Sequence, residues 1–245
     1  MSDCSEKLDT MPLTSHLLEL RKRVVYIFLG MVLCLIVLFP FMSTLFNYVS
    51  EPLLAVLPKG TQLLSVSVIA PVMGPLKVLF FSAFSLCFPF IIYQIWAFVS
   101  PGLYKKAKKI VVPVVLSSML MFCCGVAYCY YVVFDFLFQF ISKFSPESIS
   151  FAPDIDSYIS FVLHMFIAFG ITFEVPVIVF ILRAIRITSL EKLKKFRKFL
   201  IVIAFAVAAV FTPPDVASQL LLALPIIVLY EIGLLISSIF IRDKR

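Results

Sequence analysis

Long apolar runs separated by short polar stretches organise this chain. Three of the runs carry no charge: Val24–Ser50, Val78–Tyr104 and Ile110–Phe134. Two more carry one acid each, Glu174 within Ser157–Leu182 and Glu231 within Val216–Ile241. Each exceeds the roughly 20 residues a helix needs to cross about 30 Å of hydrocarbon. A sixth segment, Phe199–Phe211, has only 13 apolar residues, about 20 Å of helix at 1.5 Å per residue. Lys198 precedes it and Thr212-Pro213-Pro214-Asp215 follows, so the last two segments read as a stubby hairpin, its return arm interrupted at Pro225. Such a hairpin falls short of the far headgroups or thins the bilayer around it. The pattern predicts an all-α, polytopic integral membrane protein of one domain. Its six transmembrane helices are expected at 24–46, 71–99, 110–139, 157–182, 199–211 and 216–241, the last two short.

Composition agrees. The chain is 62% hydrophobic with a mean hydropathy of +1.09, far above the roughly 45–50% apolar content of soluble domains. The basic residues supply orientation. Eighteen of the 21 lysines and arginines lie in the N-terminal segment, in 105–109, between Arg183 and Lys198, or at the C-terminus. The alternate loops hold only Lys59 and Lys143, which places both termini and the two basic loops in the cytoplasm. The net charge of +7 is then positive-inside bias and attraction to anionic lipid, not a sign of nucleic-acid binding. No cleavable leader is expected, because the first apolar run is too long for one. The six cysteines are Cys4 and five within predicted spans. Their spacing fits no zinc site, and small apolar filling accounts for them.

The polar positions within this frame are few. Leu13, Leu17 and Leu20 share one face of a helix that starts near Thr14 or Ser15 and lies along the interface. Glu19, three and four residues before Lys22 and Arg23, reads on its own as one side of a helix-surface ion pair. The apolar outer loop 47–70 is expected to fold into short surface helices. Lys77 sits near the outer end of the second span, where snorkelling to the headgroups is the simplest reading. His164 with Ser160 one turn earlier lacks an orienting group and reads as an interhelical polar contact. Glu174, deep in the fourth span and followed two residues later by Pro176, costs about 2.5–3.5 kcal/mol to insert, which marks it as a functional candidate. Thr212, Pro213 and Asp215 have the spacing of a capping box, with Asp in place of Glu. Thr212 and Gln219 would be exposed polar groups open to a partner helix. Glu231 fits an interface anchor or a contact inside the fold equally well.

Four separated motifs resemble one family. They are His16-Leu17-Leu18-Glu19-Leu20-Arg21; Tyr93-Gln94-Ile95-Trp96-Ala97-Phe98 with Pro101 and Leu103-Tyr104; Phe169-Gly170 with Phe173-Glu174-Val175-Pro176; and Thr212-Pro213-Pro214-Asp215 with Ser218-Gln219 and Tyr230-Glu231. In that order they are similar to TatC, the polytopic receptor subunit of the twin-arginine protein translocase, and the resemblance covers nearly the whole chain. It implies a glove-shaped, concave bundle in a bacterial inner membrane that binds twin-arginine signal peptides at its cytoplasmic face. It implies export of folded proteins with TatA/TatB-type single-span partners, driven by the proton-motive force, and assembly of several copies in a receptor complex. No catalytic chemistry, cofactor or metal is implied.

Carried onto this sequence, Glu19 accepts the arginine pair, and Phe98, Pro101, Leu103 and Tyr104 line the same patch. Glu174 sits in the concave face, and Thr212, Pro213, Pro214, Asp215 and Gln219 dock the partner helix. One position departs from the pattern. Family members usually carry a second glutamate shortly after the Leu-Tyr-Lys run, and here Ala107 stands among four lysines. Either Glu191 in the other basic loop substitutes, or backbone carbonyls at the end of the second span do, or recognition is weaker. The alternative class, a secondary transporter or ion channel conducting past Glu174, lacks the paired broken helices of two related halves. An enzyme is disfavoured, since neither His-Glu-x-x-His nor Gly-x-Ser-x-Gly occurs.

Overall fold

The structure is a computed structural model that describes residues 13–56, 64–99, 108–144, 154–185, 187–212 and 216–241. Among these residues the protein is helical almost throughout. Five helical stretches are long and apolar enough to cross a membrane: Leu17–Leu54, Ala70–Phe98, Val112–Phe140, Ile155–Ala184 and Ser218–Phe240.

The first stretch is longer than its sequence suggests. Helix α1 (Leu13–Leu38) passes through a single 3-10 turn, Phe39–Phe41, into α2 (Met42–Val56). Pro40 does not stop it, because proline in the first turn of a helical segment removes an N–H that has no intrahelical acceptor. At 38 residues the run measures about 57 Å, nearly twice the hydrocarbon thickness. The outer helix expected within 47–70 is therefore α2, which begins earlier and grows directly out of the span. It is pinned where Tyr158 Oη donates to Val49 O (2.9 Å) and Tyr130 Oη to Tyr48 O (3.1 Å).

Helix α3 (Ala70–Val99) follows, and α4 (Lys108–Tyr128) leads through a π turn at Cys129–Val133 into α5 (Phe134–Phe144). Helix α6 (Ile155–Phe173) starts on Asp154, whose carboxylate accepts from Ser157 N. A parallel bridge ties its start to Leu64, whose carbonyl accepts from Ile155 N at 2.9 Å. At Glu174 the helix kinks into α7 (Val175–Ala184). Pro176 accounts for the break: it has no N–H for the carbonyl a turn earlier, and the Glu174 N–H turns back to Ile171 O and Thr172 O instead. Helix α8 (Leu190–Phe211) begins at the cap Ser189, and α9 (Val216–Phe240) returns against it. Pro225 lies inside α9 and does not end it, so the expected interruption is absent and the return arm runs 25 residues.

Helix α6 is the hub. Ile159, Val162, Met165 and Phe169 are fully buried, and Phe166 stacks on Phe81 of α3 with ring centroids 5.4 Å apart. Lipid supplies little hydrophobic drive between helices, so close packing of small residues matters more than area. Gly125 of α4 and Gly170 of α6 serve the α4–α6 crossing, Gly233 lets α9 approach Pro176, and Ala204 and Ala208 let α8 press on α9. At one end of the bundle, Lys77 Nζ reaches Asp156 Oδ1 (2.6 Å) and Ser160 Oγ (3.0 Å), tying α3 to α6. Lys77 therefore finds a partner in the protein, where snorkelling to lipid was expected. His164 also differs: its Nδ1 lies 2.6 Å from Ser160 O on its own helix and its ring is exposed, so among the described residues it links no second helix.

Candidate functional site

At the opposite end of the bundle the start of α1 meets the end of α3. Glu19 and Arg23 lie one turn apart on α1, so their side chains share a face. Arg23 Nε donates to Glu19 Oε1 at 3.0 Å, and Nη2 reaches the same oxygen. The guanidinium then crosses to α3, where Nη1 donates to Gln94 Oε1 (3.2 Å) and Nη2 to Ala97 O (2.9 Å). Gln94 is buried, whereas the Glu19 and Arg23 side chains keep about a quarter of their surface (27% and 21%). Phe98 follows Ala97 directly and is half-buried. Lys22 takes no part in the ion pair; its Nζ stands 5.8 Å from the Tyr26 ring centroid. Arg23 thus ties Glu19 to Gln94 and to Ala97, the residue before Phe98; Gln94 was not among the site residues expected from the sequence. Pro101, Leu103, Tyr104 and the departure at Ala107 lie outside the described residues.

The same end gathers the remaining basic segment. Arg183 at the end of α7 is buried and donates to Ser237 O (2.6 Å) and Ile241 O (3.0 Å), closing off the last carbonyls of α9. Arg197 on α8 donates to Glu231 Oε2 of α9 at 2.6 Å, and Tyr230 Oη to Leu193 O at 2.9 Å. Of the two readings open for Glu231, the contact inside the fold is the one observed. Glu191 stands in the exposed first turn of α8. Arg23 and Arg183 have partners 71 and 58 positions away, which no sequence periodicity could supply. The only local signal was the i, i+4 spacing of Glu19 and Arg23.

Glu174 occupies the α6–α7 kink, 8% exposed, with Oε1 lacking a hydrogen-bond partner among the described residues. Its nearest polar company is the buried Ser118 hydroxyl of α4. A groove of about 460 Å³ opens beside this kink, lined by Pro113 and Met121 of α4, Pro176 and Phe180 of α7, and Ile236 and Phe240 of α9. At the hairpin, Thr212 ends α8 in an extended conformation, and its hydroxyl donates to Ala208 O at 2.8 Å. It is 6% exposed, so it is not the open polar group that was expected. The reason is local: a threonine hydroxyl at a helix end bonds back to the carbonyl one turn earlier, and Ala208 O accepts both the Thr212 N–H and its hydroxyl. Gln219 is half-buried, and Pro213, Pro214 and Asp215 lie outside the described residues.

Known proteins resemble this chain in sequence and in fold. The model of the family described as Sec-independent protein translocase protein (TatC) matches residues 15–225. A protein of Halothiobacillus neapolitanus named Sec-independent protein translocase protein TatC is 43% identical over 244 residues, all of this chain and 67% of that one. The protein of the same name from Escherichia coli K12 is 42% identical over 237 residues, 97% of this chain and 92% of its own. A solved structure described as the twin arginine translocase receptor TatC superposes with a TM-score of 0.80 at 33% identity, covering 91% of this chain and 98% of that one.

Proposed function

This chain belongs to the TatC family of Sec-independent protein translocase proteins, and from that premise we propose that its Glu19 end is the receptor face for twin-arginine signal peptides. It is a transport component and not an enzyme. The observation that carries the proposal is the partly exposed Glu19 carboxylate, linked through Arg23 to the end of α3 at Ala97, on the end of the bundle that also carries Arg183 and Arg197. A guanidinium pairs with a carboxylate through directed hydrogen bonds and stacks on aromatic faces, and an ammonium does neither as well. The excess of lysine and arginine in the N-terminal segment, the two basic loops and the C-terminus supports a cytoplasmic position for this end and for both termini in a bacterial inner membrane.

The rest of the molecule receives roles in the same scheme. Glu174 lies part-way across the bilayer beside an apolar groove, a polar group that a passing signal peptide or a partner would meet. The α8–α9 hairpin, with Gln219 half-buried near its turn, docks the membrane helix of a TatA/TatB-type partner. Thr212 supports that docking by ending α8 cleanly rather than by presenting its hydroxyl. Copies of the chain assemble with these partners, and the proton-motive force drives export of folded cargo. The test is capture of signal peptides by the purified full-length protein, with Arg-Arg and Lys-Lys versions compared in parallel. Preferential capture of Arg-Arg is expected. Equal capture would remove the receptor reading.

A further inference from the structure

Arg23 is held from three sides. Its four hydrogen bonds end on Glu19 Oε1, Gln94 Oε1 and Ala97 O. Gln94 is buried, so its amide is a fixed acceptor. Ala97 lies in the last turn of α3, where a cation is favoured. Moving Arg23 aside would take the donor from the buried Gln94 amide oxygen, so the guanidinium stays in place. Both of its contacts to Glu19 fall on one oxygen. Oε2 accepts nothing from the described residues.

Building on the receptor reading above, we propose that Arg23 is a specificity-determining residue of the signal-peptide site: a resident guanidinium that occupies one oxygen of Glu19 and leaves the other for a single incoming guanidinium. Any ligand cation at Oε2 shares the carboxylate with Arg23 and works against its charge. A guanidinium tolerates that better, because its charge is delocalised over a plane, weakly hydrated and able to lie alongside another such plane. A lysine ammonium is compact and strongly hydrated, and it meets the full repulsion. The site therefore prefers arginine to lysine partly because an arginine is already in it. One free oxygen also serves only one member of the pair, so the second arginine takes its acceptor elsewhere.

The experiment measures binding of fluorescent signal peptides bearing Arg-Arg or Lys-Lys to the full-length protein in detergent, for wild type, Arg23→Gln, Arg23→Lys and Gln94→Leu. Thermal midpoints are recorded alongside. Arg23→Gln should lower the Arg-Arg to Lys-Lys affinity ratio about tenfold, the factor for one charge-assisted hydrogen bond. Arg23→Lys should lower it as well, since an ammonium cannot span the three acceptors. Gln94→Leu, which frees one anchor, should move it the same way by less. If Arg23→Gln does not fold, the lysine and Gln94 variants carry the test. An unchanged ratio in the folded variants overturns the proposal. A wild type that binds both peptides alike contradicts the receptor reading itself, and the proposal falls with it.

Discussion

Gly125→Ala is the substitution with the most directly readable cost. A Cβ built on Gly125 would lie 2.5 Å from Phe169 O and 3.0 Å from both Phe169 C and Phe173 Cβ. Ordinary contact begins near 3.4 Å, so α4 and α6 would have to part by about 1 Å at their crossing. The obstacle is the backbone of the fully buried Phe169, and no rotamer change relieves it. Overpacking of this kind costs about 1–3 kcal/mol. That corresponds to a loss of roughly 2–12 °C in thermal midpoint for a chain of this size.

Gly170→Ala is the internal control, meeting the Phe122 ring edge at 2.5 Å. That ring is stacked on Phe88 at 4.0 Å but can slide more readily than a main chain, so the loss should be smaller. Glu174 stands one turn beyond Gly170, and parting the helices draws it away from Ser118. Export of a twin-arginine reporter should therefore fall in Gly125→Ala at temperatures where the protein is still folded. Thermal unfolding in detergent decides the matter. An unchanged midpoint for Gly125→Ala, or a larger loss for Gly170→Ala, would refute the reasoning.

Two further outcomes are expected. Arg183→Met keeps the bulk of the side chain and removes its donors to Ser237 O and Ile241 O. It should cost about 2–3 kcal/mol, the range for bonds to a charged group, and raise hydrogen exchange in the last turn of α9; protection equal to wild type would contradict the capping role. Asp154 accepts from the Ser157 backbone N–H, the Ser157 hydroxyl and the Val66 N–H, which together hold its carboxyl below the ordinary aspartate range. A depressed folded value stabilises at pH above the unfolded one and is lost as pH falls through the folded one. The start of α6 should therefore be indifferent to pH near neutrality and loosen only in strong acid, and Asp154→Asn should abolish that acid dependence when helix protection is followed against pH.

The spans were legible in the sequence because a charge-free run of 20 or more residues is rare outside a membrane helix. The short apolar part of α8 was legible because Lys198 and the Pro213-Pro214 pair leave so few apolar residues between them, but α9 runs 25 residues and is not the short return arm that was expected. Glu174 stood out as well, since carboxylates inside a span are scarce, whereas Glu19 read on its own as one side of an ion pair and was singled out only by the family resemblance. What stayed hidden was partnership across helices. Lys77 with Asp156, Arg23 with Gln94, Arg183 with Ser237 and Arg197 with Glu231 are each fixed by how helices cross, and helix periodicity carries no trace of that. One proline misled: Pro225 was expected to interrupt the return arm and sits within a continuous helix, whereas Pro176, which lacks the N–H for the carbonyl a turn earlier, coincides with a true break at Glu174. Thr212 shows the limit of motif reading. Its place at a helix boundary could be read from spacing, but only the end of α8 reveals that the hydroxyl is spent on Ala208.

The central claim is that Glu19 receives an arginine of the signal peptide. Glu19→Gln keeps the side chain's shape and its contacts with Arg23 while removing the charge. Titrating an Arg-Arg signal peptide onto this variant should show affinity reduced about ten- to a hundredfold, at a thermal midpoint close to that of wild type. Wild-type affinity in a folded Glu19→Gln protein would place the recognition of arginine elsewhere and contradict the account.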